Sequence, residues 1–138
     1  MKTVSQKMGL KAGMRSFFVH APKSALEAIN LPSLEIDSEL QGEFDYIHFF
    51  TTTQSEMDAV FPKLKRHLKS RGMLWVSWPK KRQLNTDLVL DRVVNIAYRH
   101  GLVESICLSV DSIWSGLKFT HPKKGKIYHN SHGQLPMA

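Results

Sequence analysis

The chain has 138 residues, one domain's length and enough to bury a single core. Apolar residues make up 42% and charged residues 22%, the balance of a globular protein in water, and no apolar run approaches the roughly 20 residues that a membrane helix needs. The formal charge is +7, and Cys107 is the only cysteine, which excludes a disulfide scaffold and a multi-cysteine zinc site.

The first thirteen residues hold lysines but no apolar core, so no signal peptide is expected and the expected compartment is the cytoplasm. Ser16 to His20 is the first apolar run. Ser24 followed by Glu27 has capping-box spacing and opens a helix. Leu34 to Ile36 is a weaker strand, and Asp45 to Phe50 is the second apolar run. Thr53 followed by Glu56 is another capping box. Met57, Val60, Leu64 and Leu68 then form one apolar stripe on a helix that Pro62 should kink or restart and Gly72 should close. Met73 to Ser77 is the third apolar run. A helix is expected over about Thr86 to Arg99, capped by Asn85 or Thr86, with Val89, Val93 and Ile96 on its buried side. Ile106, Leu108 and Val110 alternate with Ser105, Cys107 and Ser109. A turn at Asp111-Ser112 then leads into Trp114 to Phe119, which predicts an antiparallel hairpin. Periodicity ends there. The expected organisation is a single domain over residues 1–120 and a disordered basic tail over 121–138.

The three apolar runs are continuous rather than alternating, which fits parallel strands covered on both faces. Strand and helix alternate along the chain. The predicted class is therefore α/β, a three-layer sandwich with a mostly parallel sheet and a terminal antiparallel hairpin. The pattern leaves the strand order open.

Charge is sorted along the sequence. The two ends hold seven bases and no acid: Lys2, Lys7, Lys11 and Arg15, then Lys123, Lys124 and Lys126. Residues 23–62 hold eight acids against Lys23, and residues 63–82 hold eight bases and no acid. A helix across this border would place Glu56 and Asp58 at its positive end and Arg66, Lys69 and Arg71 at its negative end. That leaves Lys80, Lys81 and Arg82 without a structural reason.

The second half resembles the back half of class I methyltransferases. The likeness rests on Phe44-Asp45 opening a strand, Phe61-Pro62-Lys63-Leu64-Lys65 in the following helix, and Lys69-Ser70-Arg71-Gly72 before an apolar strand. That resemblance implies a Rossmann-like sheet of order 3-2-1-4-5-7-6, here one strand and at least one helix short. The chain also resembles a small bacterial family of unassigned activity, domain-of-unknown-function family three thousand and fifty-two. The resembling segments are Met8 to Arg15, Ala21-Pro22, Trp75 to Lys81, Thr86-Asp87-Leu88 and Trp114 to Phe119. This second likeness implies a fold and a relationship but no activity.

Ligands of open α/β sheets bind beyond the carboxyl ends of the strands. Three expected strand ends carry His20 to Ser24, Thr51 to Ser55 and Ser77 to Lys81. Ser24 and Thr53 stand at expected helix starts, where amide groups favour an anion, and Lys80 and Lys81 add charge. The candidate is a small anion pocket of His20, Ser24, Thr51, Thr53, Trp78, Lys80, Lys81 and Trp114. Trp78 beside two cations could stack a base and hold its phosphate; alternatively Trp78 and Trp114 pack together as a lid.

A methyl donor in this fold needs a glycine-rich turn after the first strand. Here the turn is His20-Ala21-Pro22-Lys23, and no glycine lies between Gly13 and Gly42. Asp37, after the second strand, could hold a ribose hydroxyl or orient His20 as a base. Thr51-Thr52-Thr53 lacks the Asn/Asp-Pro-Pro motif of amino-methylating relatives. Ser77 and Ser115 lack a nucleophile-elbow setting, so no catalytic triad is expected. His48 reads as a satisfied buried histidine and Cys107 as a buried, inert thiol. His121, His129 and His132 do not make a metal site.

The expectation is a binding or interaction domain with a degenerate methyltransferase-like fold, no cofactor and no metal. Expected partners are a small anionic ligand and weak, non-specific nucleic-acid contact through the basic ends, with no membrane contact. The alternatives are a small-molecule enzyme with an unconventional adenosyl or anionic pocket, and a weakly nucleic-acid-associated protein.

Overall fold

A computed structural model describes residues 1–123. Lys124, Lys126, His129, His132 and all but the first three residues of the expected tail lie outside the described residues. The strands are β1 Arg15–Val19, β2 Glu35–Ile36, β3 Phe44–Phe50, β4 Leu68–Pro79, β5 Val103–Ser109 and β6 Trp114–Thr120. The helices are α1 Val4–Met8, α2 Lys23–Ile29, α3 Gln54–Lys65 and α4 Leu90–Arg99, with a 3-10 segment at Lys80–Asn85. One six-stranded sheet runs β2-β1-β3-β4-β6-β5. The first four strands are parallel, and β6 turns antiparallel against β4 and β5. This is the implied methyltransferase order with the strand outside β2 missing among the described residues.

Successive side chains on a strand point to opposite faces. On one face Ile47, Phe49, Leu74, Val76, Trp78, Leu117 and Phe119 pack with Met57, Phe61 and Leu64 of α3 and Val93, Val94 and Ala97 of α4. On the other, Tyr46, Phe50, Met73, Trp75 and Trp114 pack with Met8 of α1 and Ala25 and Ile29 of α2. Both faces of the apolar runs are covered, as their continuity predicts.

Several boundaries differ from the sequence reading. The amino end is not only a basic arm. Thr3 and Gln6 form a reciprocal capping box for α1, and Met8 and Leu10 are buried. Helix α2 is capped by Pro22 without a side-chain bond, so Ser24 is a helical residue and not a cap. Helix α3 passes through Pro62 and ends at Lys65. Leu68, Lys69, Arg71 and Gly72 therefore belong to β4, not to a helix end. Across the step from Phe44 to Tyr46, β4 advances from Leu68 to Met73, three residues more than β3. Gly72 sits in that bulge, where a Cβ would lie 2.8 Å from Leu68 Cδ1 and 2.9 Å from the Phe44 carbonyl oxygen. The last helix starts at Leu90 rather than Thr86. Before it, Lys81, Arg82, Leu84 and Asn85 all take left-handed φ values of 50° to 57°, which cannot continue a right-handed helix. In β5 one extra residue between Glu104 and Cys107 breaks the expected alternation, leaving Ile106 43% exposed.

Candidate functional site

The turn after β1 is closed without glycine. His20 itself takes the left-handed conformation, with φ 55°. Its Nε2 lies 3.3 Å from Glu56 Oε2. The other carboxylate oxygen of Glu56 accepts a hydrogen bond from Thr51 Oγ1 at 2.5 Å. Thr53 Oγ1 caps α3 by accepting from the Glu56 amide at 3.1 Å. His20, Thr51 and Thr53 thus meet, as expected, at the carboxyl ends of β1 and β3. The group they meet around is Glu56, expected from the sequence as a capping-box partner and an acid at the positive end of the helix, but not as part of the site. Its position three residues after Thr53 was the available signal. A carboxylate at this centre repels a second anion and suits a cation or a proton donor.

The positive end of α3 is also occupied by the chain itself. The Gln54 amide donates to Asp87 Oδ1 and Gln54 Nε2 donates to the Asp87 carbonyl, both at 2.8 Å. Thr86 Oγ1 donates to the Thr52 carbonyl at 2.6 Å. The segment 86–87 therefore lies over the loop after β3 and supplies the anion that the helix end favours.

Asp37 stands elsewhere. The two residues of β2 pair with Arg15 and Ser16, at the start of β1. Asp37 follows them at once, three residues or roughly 10 Å short of the His20 turn. The Glu39 amide and Gln41 Nε2 donate to its carboxylate at 3.0 and 3.2 Å, and Arg15 Nη2 does so at 2.7 Å. The Glu39 amide, Gln41 and Arg15 together hold the carboxyl below its ordinary range. Arg15 is fixed in turn by the Gln41 and Glu43 carbonyls and by the Phe44 ring, 4.0 Å beneath its guanidinium.

The remaining candidates separate. Trp78 pairs with Ser115 and Trp114 with Pro79, so the tryptophans point to opposite faces and the expected lid does not form. Trp78 is 5% exposed, too buried to stack a base. Trp114 instead packs edge-on against Phe50, with centroids 5.3 Å apart. Lys80 Nζ donates to Ser109 Oγ and to the Asp111 carbonyl, on the far side of β4 from His20. The single pocket expected from the sequence is thereby divided. Trp78, Lys80 and Lys81 line a cleft of about 480 Å³ with Arg82, Leu90 and Cys107. Ser24 is exposed on α2 and lines neither place. Cys107 is exposed, correcting the expected burial, although partial burial pushes its thiol pKa up.

His48 is the satisfied buried histidine that the sequence suggested. Nδ1 lies 2.6 Å from Tyr46 Oη and Nε2 lies 2.7 Å from Ser77 Oγ. All three residues are fully buried, and burial drives the imidazole pKa down to about 3. A hydroxyl–imidazole pair sealed from solvent is core structure. Among the described residues no cluster of His, Cys, Asp and Glu could hold a metal ion. Likewise, no described helix is long and apolar enough to cross a membrane.

The fold defined by this sheet is the Rossmann-like sandwich of the methyltransferases. Solved structures of that class superpose on most of the chain. A precorrin-6y C5,15-methyltransferase from Geobacter metallireducens matches with a TM-score of 0.58 at 11% identity, over 86% of each chain. A methyltransferase from Pyrococcus furiosus gives 0.57 at 15% identity, over 84% of this chain and 79% of its own. A ribosomal protein L11 methylase from Lactobacillus delbrueckii gives 0.56 at 10% identity, over 87% and 78%. At these identities the likeness is one of fold. No family model matches the chain, and no curated protein matches it in sequence.

Proposed function

We propose that the protein is a cytoplasmic binding or interaction domain that keeps the methyltransferase fold without holding an adenosyl cofactor. The observation that carries this reading is Asp37. The acid that would meet a ribose lies at the wrong level of the sheet and is engaged by Arg15, Gln41 and the Glu39 amide. The His20-Ala21-Pro22 turn and the occupied end of α3 agree with it. Membership in the bacterial family that Trp75 to Lys81 and Trp114 to Phe119 resemble belongs to the same proposal.

Titration calorimetry with S-adenosylmethionine tests the reading. No binding heat is expected, and micromolar affinity would overturn it. The second reading is a small-molecule enzyme, favoured by the fold of the neighbours and by the His20–Glu56 contact beside the β1–β3 switch point. That reading expects adenosyl binding that Glu56→Gln alters, whereas the first expects no heat from either protein.

A further inference from the structure

Lys80, Lys81 and Arg82 were the bases that helix polarity left unexplained, and the structure gives them a setting. They follow β4 and form one side of the 480 Å³ cleft. The turn is tied down along its length. The Lys80 amide donates to the Ile113 carbonyl at 2.7 Å, and Gln83 Nε2 donates to the Ser112 carbonyl at 3.3 Å. Lys80 Nζ holds Ser109 and Asp111, so this ammonium anchors the turn against the β5–β6 connection. Lys81 and Arg82 have a different role. Among the described residues their side chains have no hydrogen-bond or ion-pair partner, and both are exposed. Both sit in left-handed backbone, as does Leu84, a conformation these side chains disfavour and a fixed turn imposes. Among the described residues no carboxylate lines the cleft. Leu88, Val89 and Leu90 give the same lining an apolar part, and Cys107 also lines it.

Two adjacent cations without a described partner, in a cleft whose described lining is apolar in part and holds no carboxylate, match one ligand chemistry. We propose that this cleft binds a small phosphorylated molecule, with its phosphate at Lys81 and Arg82 and its apolar body along Leu88 to Leu90. A phosphate dianion takes charge-assisted bonds from both cations, and Arg82 offers a planar fork for two oxygens. The inference rests on the binding-domain reading and supplies its ligand class.

Cys107 makes the test local, because it is the only thiol in the chain and lines the cleft. The full-length protein is alkylated with iodoacetamide in mildly alkaline buffer, with phenyl phosphate, phenol or inorganic phosphate present. A ligand at about ten times its dissociation constant leaves about one-eleventh of the sites open, so alkylation should slow about tenfold. Phenyl phosphate is expected to protect at the lowest concentration, inorganic phosphate only at higher concentration, and phenol not at all. Lys81→Ala with Arg82→Ala should abolish protection, read as the ratio of protected to unprotected rate within the variant itself, while leaving the unfolding midpoint unchanged. No protection by phenyl phosphate, equal protection by phenol, or protection that survives the double substitution overturns the proposal. Protection by a short RNA or by anionic lipid vesicles with none by phenyl phosphate overturns it in favour of a macromolecular surface. Adenosyl binding by calorimetry would sink the binding-domain reading without touching this result, and failed protection would leave that reading standing.

Discussion

His48 shows how one buried residue links sequence to a measurable property. Its ring stacks on Phe50, 4.2 Å between centroids, and bridges Tyr46 to Ser77. In the unfolded chain the imidazole takes up a proton near its ordinary 6.5; in the fold it resists protonation until about pH 3. Between those values the unfolded state binds more protons. His48's contribution to stability is therefore complete above pH 6.5 and lost as pH falls toward 3, at a limiting slope of about 1.4 kcal/mol per unit. Asp37 and Asp45 both have pKa values held below 3.8, so their contributions fall away only in stronger acid. Urea-unfolding midpoints measured from about pH 7 down to about pH 4.5 should drop steadily. A flat profile there would contradict the assignment. His48→Asn should remove the slope and lower stability at neutral pH. The hydroxyls of Tyr46 and Ser77 would lose their buried partner, at about 1–3 kcal/mol for each group left unsatisfied.

Elements carry the next lesson, and Gly72 tests it. Gly72→Ala places a methyl group within 2.9 Å of the Phe44 carbonyl, and backbone cannot swing aside as a side chain can. The β4 bulge must shift, with an expected loss of about 1–3 kcal/mol in chemical denaturation. A neutral result would show that the bulge is slack. Leu84→Gly should act in the opposite direction. Leu84 is 57% exposed and has φ 53°, so glycine would relieve about 1 kcal/mol of backbone strain while losing little burial. An unfolding midpoint that rises or holds is expected; a marked fall would mean that Leu84 makes contacts its exposure hides. These two positions mark where the sequence stopped being legible. Apolar runs fixed the strand centres because burial on both faces leaves no other pattern, and the hairpin showed in the alternation before the Asp111-Ser112 turn. Leu68 follows Leu64 by four residues, so helical spacing continued across a boundary that only pairing with Phe44 reveals. The Thr3–Gln6 box was visible, but five residues of helix hold too little periodicity to stand apart from a basic arm.

At the scale of the molecule, the site was legible as strand ends but not as one pocket. Sequence placed His20, Thr51 and Trp78 at the correct end of the sheet. It could not show that Glu56 fills the space between the first two, or that pairing turns Trp78 and Trp114 to opposite faces. Charge distribution is the other whole-molecule property, and it yields the last prediction. Of the four bases in the first fifteen residues, Lys2, Lys7 and Lys11 are exposed, while Arg15 is held by Asp37 and two carbonyls. Any RNA contact made through the amino end therefore depends on three lysines. Truncating this end would also pull Met8 and Leu10 out of the core, so loss of binding after truncation would report unfolding. Substituting Lys2→Gln, Lys7→Gln and Lys11→Gln removes the charge and leaves the buried side chains in place. For single-stranded RNA the dependence of log affinity on log salt carries about 0.7 for each neutralised phosphate. The triple variant should therefore bind more weakly at low salt, with a slope shallower by about 2 in a fluorescence-anisotropy titration. If the slope is unchanged by these substitutions and collapses in the Lys81→Ala, Arg82→Ala protein, the nucleic-acid contact lies at the cleft turn and not at the end of the chain.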